Sequence, residues 1–179
     1  MVRLGVNLIL MACFFAQPVW AKQQTVELRK GKVSFSLPGE NWNYYKDMLG
    51  LPLVIVGPSK SSQRVTISVT ATGVNKIKLN PEKLKTEQDT WFSGRKRFVD
   101  KFNGKILKKY DYQKRSTKNL DLVHRIGYRY QVEDKIFESY SYYYNCKDQL
   151  YHVKSLGEVK LFPEMAKTSD NFLNTLGCQ

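Results

Sequence analysis

The sequence predicts an α+β domain: a mainly antiparallel central sheet with a long helix on one side and a C-terminal helix on the other, an α/β/α sandwich. Three observations predict it. Short β-patterned segments precede one long amphipathic stretch, further β-patterned segments joined by tight turns follow it, and a second amphipathic stretch closes the chain. With 42% hydrophobic and 25% charged residues in 179, the composition is that of a globular protein rather than a disordered one, and the length suits one domain.

Thr25–Leu28 and Val33–Leu37 read as short strands around a turn at Arg29-Lys30-Gly31-Lys32, and Pro38-Gly39-Glu40-Asn41 ends the second ahead of Trp42. Leu51–Val56, framed by Gly50 and Gly57-Pro58, is continuously apolar, as suits a strand buried on both faces. Arg64–Thr72 alternates: Val65, Ile67, Val69 and Ala71 face one way, Thr66, Ser68, Thr70 and Thr72 the other, so it should be half-buried. The long helix starts with Asn80 as N-cap, Pro81 at the first helical position and Glu82 near the positive end of the dipole. Its apolar stripe is expected through Leu84, Trp91, Phe98 and Phe102, flanked by Phe92 and Val99, with Gly104 as the stop.

Lys105–Tyr112, Leu120–Val132, Lys135–Asn145 and Gln149–Leu156 read as strands. A two-residue turn at Glu133-Asp134 sets Arg129 opposite Glu138 and Gly127 opposite Tyr140, where a ring covers a glycine. Glu-Asp is poor chemistry for such a turn and a longer loop is the alternative; the two favourable pairs support the short one. A second turn at Lys147-Asp148 places Tyr140, Tyr142, Tyr144 and Cys146 on one face with Tyr151 and Val153. His124, Tyr143 and His152 then form a row on the other face. Pro163 opens the last helix, with Met165, Ser169, Phe172, Leu173 and Leu176 inward and Gly177 as the stop.

Residues 1–21 pattern as a secretory signal. Arg3 is the sole charge, Leu4 to Ala16 form an apolar run too short to span a bilayer, and Val19-Trp20-Ala21 follows Pro18 with small residues where a signal peptidase reads. Cleavage after Ala21 would leave residues 22–179 as one domain. A lipoprotein reading through Leu10-Met11-Ala12-Cys13 fits less well, since it puts Met11 at an unusual position after a very short apolar run. No other stretch approaches the ~20 apolar residues of a membrane span. The expected location is periplasmic or secreted. There Cys146 and Cys178 should pair as a disulfide that lays the last helix over the tyrosine face.

In this order of elements the chain resembles the PsbP-like family, which includes the extrinsic protein of photosystem II, the Ran-binding Mog protein and periplasmic DcrB-type proteins. The resemblance rests on Val33-Ser34-Phe35-Ser36-Leu37-Pro38 followed by Trp42, the strand Val65–Ala71 before the helix, and Tyr142-Tyr143-Tyr144 leading into Tyr151-His152-Val153. It would cover residues 25–177 and rests on strand and turn patterns. It implies scaffolds, partners and chaperone-like adaptors, mostly without catalysis, and no catalytic motif to carry over; nothing here supports a photosystem or Ran role.

Enzyme signatures are absent: there is no GxSxG, no GxxxxGK[ST], no HExxH and no C-x-x-C. No catalytic residue, metal ligand or cofactor is therefore expected. The His124–Tyr143–His152 row has no carboxylate placed beside it, and a catalytic zinc usually takes three protein ligands. The tyrosines could form a stacking platform for sugars or bases, but a helix laid over Tyr140, Tyr142 and Tyr144 makes them core. The charge is the main anomaly. The net is +13, and ten basic residues (Arg95, Lys96, Arg97, Lys101, Lys105, Lys108, Lys109, Lys114, Arg115 and Lys118) fall in one segment with two acids, Asp100 and Asp111. Those on the last helical turns also complement the helix dipole. On the following strand, Lys105 and Lys109 should point to one side and Lys108 to the other.

The sequence thus reads as a secreted, non-catalytic binding domain that docks an acidic protein or an anionic envelope component through this flank. Nucleic acid is compatible with the charge but not favoured. A lysine-rich face serving only solubility is the plain alternative. From other classes, the rivals are a hydrolase or metal-dependent enzyme on the His124/His152 face, and an inhibitor or immunity protein presenting the loop Gly73–Asn80.

Overall fold

Apolar–polar alternation along the strands builds two antiparallel sheets in the computed structural model, which describes residues 23–28, 31–60, 63–71, 81–146 and 149–178. The larger sheet has seven strands, in the order β3 (Asn43–Met48), β4 (Leu51–Lys60), β5 (Gln63–Ala71), β9 (Gln149–Glu158), β8 (Lys135–Cys146), β7 (Val123–Val132) and β6 (Lys105–Arg115). The smaller joins β1 (Gln24–Leu28), β2 (Gly31–Phe35) and β10 (Gly177–Cys178). Helices α1 (Pro81–Thr86) and α2 (Gln88–Asp100) connect β5 to β6, and α3 (Met165–Thr175) follows β9. The class is α+β, as expected. The residues read as a signal peptide and the loop Gly73–Asn80 lie outside the described residues.

From β5, inside the sheet, the chain passes through the helices and re-enters at the far edge with β6. Strands β7, β8 and β9 then return hairpin by hairpin until β9 pairs with β5. The late register is the expected one: Arg129 faces Glu138, Gly127 faces Tyr140, and Tyr144 faces Tyr151. A Cβ on Gly127 would sit 2.5 Å from Cδ1 of Tyr140, so the ring lies directly over bare backbone. Glu133, with φ of 54°, takes the left-handed conformation that the short turn needs.

Each face of the large sheet has its own core. On one, Phe172 and Leu173 of α3, Leu176 just past its end, and Val33 and Phe35 of the small sheet pack on Tyr140, Tyr142, Tyr144, Tyr151 and Val153. All five residues expected to face inward at the C-terminal helix are buried. On the other, Phe92 and Val99 of α2 pack on Ile126, Tyr128 and Tyr130 of β7.

Several expectations need correction. The first two strands leave the central sheet and form the small one, because their apolar residues Val26, Leu28, Val33 and Phe35 are needed to cover the α3-side core. Strand β3 was not expected: most of its residues are exposed, so it carries no alternation. The long helix is two helices joined at Glu87, through which i→i−4 bonds continue (Glu87 N–H to Lys83 O, 2.8 Å; Trp91 N–H to Glu87 O, 3.0 Å). Its buried stripe is Phe92/Val99, not the expected one: Phe98 and Phe102 are 43% and 54% exposed. The two stripes differ by one residue, a rotation of about 100°, and the apolar patch on β7 selects between them.

The stop after α2 is also shifted. Asn103, with φ of 52°, is the left-handed residue; its N–H donates to Asp100 O (3.0 Å), and Gly104 N–H donates to Val99 O (3.1 Å), a Schellman closure. Gly104 is required for a different reason: a Cβ there would collide with the carbonyl of Gln131. Gly177 is not a helix stop either. It opens β10, opposite Ser34. The side chain of Cys178 lies outside the described residues, so its pairing with the buried Cys146 stays a proposal.

Candidate functional site

Helix α2 packs against the edge strand β6, and between them lies a groove of about 460 Å³. Lys96, Lys105, Lys108 and Lys109 line it, with Phe92, Ile106 and Leu107 supplying its apolar surface. Asp100 also lines it, bonded to Lys96 at 2.7 Å. Lys109 Nζ sits 4.8 Å above the Phe92 ring and Lys108 Nζ 5.1 Å from the Tyr110 ring. These contacts hold the lysine stems without neutralising the ammonium groups.

Two bulges decide where the lysines point. The pairing with β7 shifts between Ile106 and Lys108 and again between Tyr110 and Gln113. Lys105 and Lys108 consequently share a face, opposite Gln131 and Arg129, whereas Lys109 and Lys114 lie on the α2 face, opposite Tyr128 and His124. This reverses the expected split, because each inserted residue flips the alternation that follows it.

The other six basic residues are dispersed. The half-buried Arg95 stacks its guanidinium over Trp91 at 4.8 Å, away from the groove. Arg97, Lys101 and Lys118 are exposed, and Lys114 faces His124. Arg115 pairs with Asp170, whose other oxygen accepts a 3.3 Å bond from the Tyr142 hydroxyl; Arg115 thus ties β6 to α3. Nothing in the local pattern around Asp170 signals this network.

The expected row across the sheet exists. His124 faces Tyr143 and Tyr143 faces His152, with the last two rings stacked at 4.6 Å. The surroundings keep both imidazoles neutral. Burial, then the charges of Arg95 and Lys154, lowers the His152 pKa to about 4; burial, then Lys114, lowers that of His124. His152 Nε2 shares a 3.1 Å hydrogen bond with Ser141 Oγ, and His124 Nδ1 one of 2.8 Å with the Tyr112 hydroxyl. Among the described residues no three His, Cys, Asp or Glu side chains converge as metal ligands. The tyrosine platform is closed as well: Tyr140, Tyr142, Tyr144 and Tyr151 are core.

Sequence reasoning missed a second groove, about 360 Å³, lined by Trp42, Phe162, Pro163 and Met165 among others. Lys60 Nζ donates to Leu161 O there (3.1 Å) and lies 5.4 Å from the Phe162 ring. Trp42 was visible as an isolated aromatic beside Gly39, but not its distant partners.

A seven-stranded antiparallel sheet with helices on either side, and a small sheet beside the C-terminal helix, is a PsbP-like fold. Among solved structures it is similar to cyanobacterial PsbP (CyanoP) from Synechocystis sp. PCC 6803, at 12% identity and a TM-score of 0.58, covering 89% of this chain and 94% of that one. It is also similar to LpqN of Mycobacterium tuberculosis, described as involved in cell envelope biogenesis, at 12% identity and a TM-score of 0.57, covering 87% and 90%. No family model and no curated protein matches the chain. At these identities the likeness shows the fold. Among the described residues no helix is long and apolar enough to cross a membrane.

Proposed function

We propose that this chain is an exported, non-catalytic accessory domain that binds an acidic partner or envelope polyanion through the groove between α2 and β6. One observation carries the reading: Lys96 of α2 and Lys109 of β6 face each other across that groove, Lys105 and Lys108 stand at its edge, and among the described residues its one carboxylate, Asp100, is already held by Lys96. Uncompensated positive charge at an edge attracts and orients an anionic partner. Export is supported by the pattern of residues 1–21 and by the similarity in fold to LpqN. A disulfide between Cys146 and Cys178 would suit that compartment, fastening β8 to the strand that follows α3.

The test is charge reversal at Lys105, Lys108 and Lys109, each to Glu. Recovery of partners from an envelope extract should be lost, and wild-type binding should fall steeply between low and high salt, with the melting temperature nearly unchanged. If the reversed protein recovers the same partners, the lysines serve solubility and the proposal fails.

A further inference from the structure

We propose that the corner where α2 runs into β6 is a shallow contact surface for bilayers rich in anionic phospholipid. This names the partner of the basic flank and rests on the binding role above. Phe98 and Phe102 are 43% and 54% exposed, and their rings meet each other at 5.3 Å rather than the core. Neither lines the groove. Beyond the turn, at the first bulge of β6, Leu107 is 42% exposed. Three large apolar side chains thus stand in water at one end of the helix and the start of the strand it enters.

The local structure explains why they face outward. With Phe92 and Val99 turned onto β7, Phe98 falls on the flank of α2 that meets polar sheet surface: the ammonium group of Lys154 lies 6.0 Å from its ring, and Lys154 sits between Ser68 and Ser141. Among the described residues no apolar patch there receives it.

Arg97 and Lys101 neighbour these phenylalanines at the end of α2, and Lys105 opens β6 just past the turn; all three are exposed. The nearest carboxylate in sequence, Asp100, is engaged by Lys96. Cations alone would serve any polyanion, to which exposed phenylalanines add little. A bilayer surface offers both features at the right depths, with headgroup phosphates level with the lysine ammonium groups and the acyl boundary several ångströms deeper for aromatic side chains.

The test is co-sedimentation of the exported protein with vesicles of phosphatidylglycerol and phosphatidylcholine, compared with phosphatidylcholine alone. Binding is expected only to the anionic vesicles. Phe98→Ser/Phe102→Ser should weaken it about tenfold without changing the melting temperature. Lys101→Glu/Lys105→Glu should abolish it. As a second readout, Phe102→Trp should shift its emission to the blue on adding anionic vesicles. Undiminished binding by the phenylalanine variant, or no spectral shift, overturns the inference and leaves the polyanion-binding role standing. So does absence of vesicle binding by a protein that still recovers acidic partners. If the lysine variant keeps both vesicle and partner binding, the binding role falls too.

Discussion

Replacing Arg129 with methionine should expose the cost of a buried carboxylate. Glu138 is 5% exposed, and its Oε1 accepts from Arg129 (Nη2 at 2.9 Å, Nε at 3.2 Å) and from the Tyr110 hydroxyl. Burial, then the bond to Glu138, holds the Tyr110 phenol well above its ordinary pKa, so it stays a donor. Arg129→Met removes two of the three donated bonds and the compensating charge. Breaking a fully buried pair costs about 3–5 kcal/mol. The Arg129 side chain is 37% exposed, so water reaches the vacated space, and the loss should fall to roughly 2–3 kcal/mol. Arg129→Met/Glu138→Leu removes both charges and should recover most of it. Urea unfolding of the four proteins in a double-mutant cycle measures the coupling, expected to be about 2 kcal/mol. A single-variant loss below about 0.5 kcal/mol, or strict additivity, would refute this account of the pair.

Gly127→Ala should cost about 2 kcal/mol or more in the same assay, since its Cβ would meet Tyr140 at 2.5 Å and the carbonyl of Ser139 at 2.9 Å; a nearly neutral result would contradict the stacking. His152 should titrate near pH 4 by NMR, against about 6.5 unfolded. Because the folded value is the lower one, the unfolded state takes up the proton first. Stability is therefore full above about pH 6.5 and falls towards pH 4 by at most roughly 3 kcal/mol. His124 adds in the same direction, and His152→Gln should flatten the profile; a midpoint for His152 above 6 would remove the argument. Non-reducing peptide mapping of the exported protein should find Cys146 linked to Cys178, with Lys22 as the N-terminus by intact mass. Two free thiols or an uncut chain would overturn those expectations.

The late hairpins are legible from sequence because their constraints are local. A short turn fixes which residues oppose one another, and Arg129–Glu138 and Gly127–Tyr140 are chemically sensible only in that register. The four inward positions of α3, Met165, Ser169, Phe172 and Leu173, follow from helical period alone. The lysine cluster is legible as composition, but not as a groove.

What the sequence by itself determined is therefore the class, the order of the main elements apart from β3, β10 and the break in the long helix, the pairing of β7, β8 and β9, the inward face of α3 and the positive segment. Tertiary structure alone decided the rest: the separate small sheet, the rotation of α2 onto Phe92 and Val99, the bulges that redirect Lys108 and Lys109, and the use of Arg115 on Asp170. The physical reason is range. Periodicity and turn chemistry act over a few residues. Which of two adjacent apolar stripes is buried, and which lysines share a face, depends on strands dozens of residues away that offer an apolar patch or shift a register.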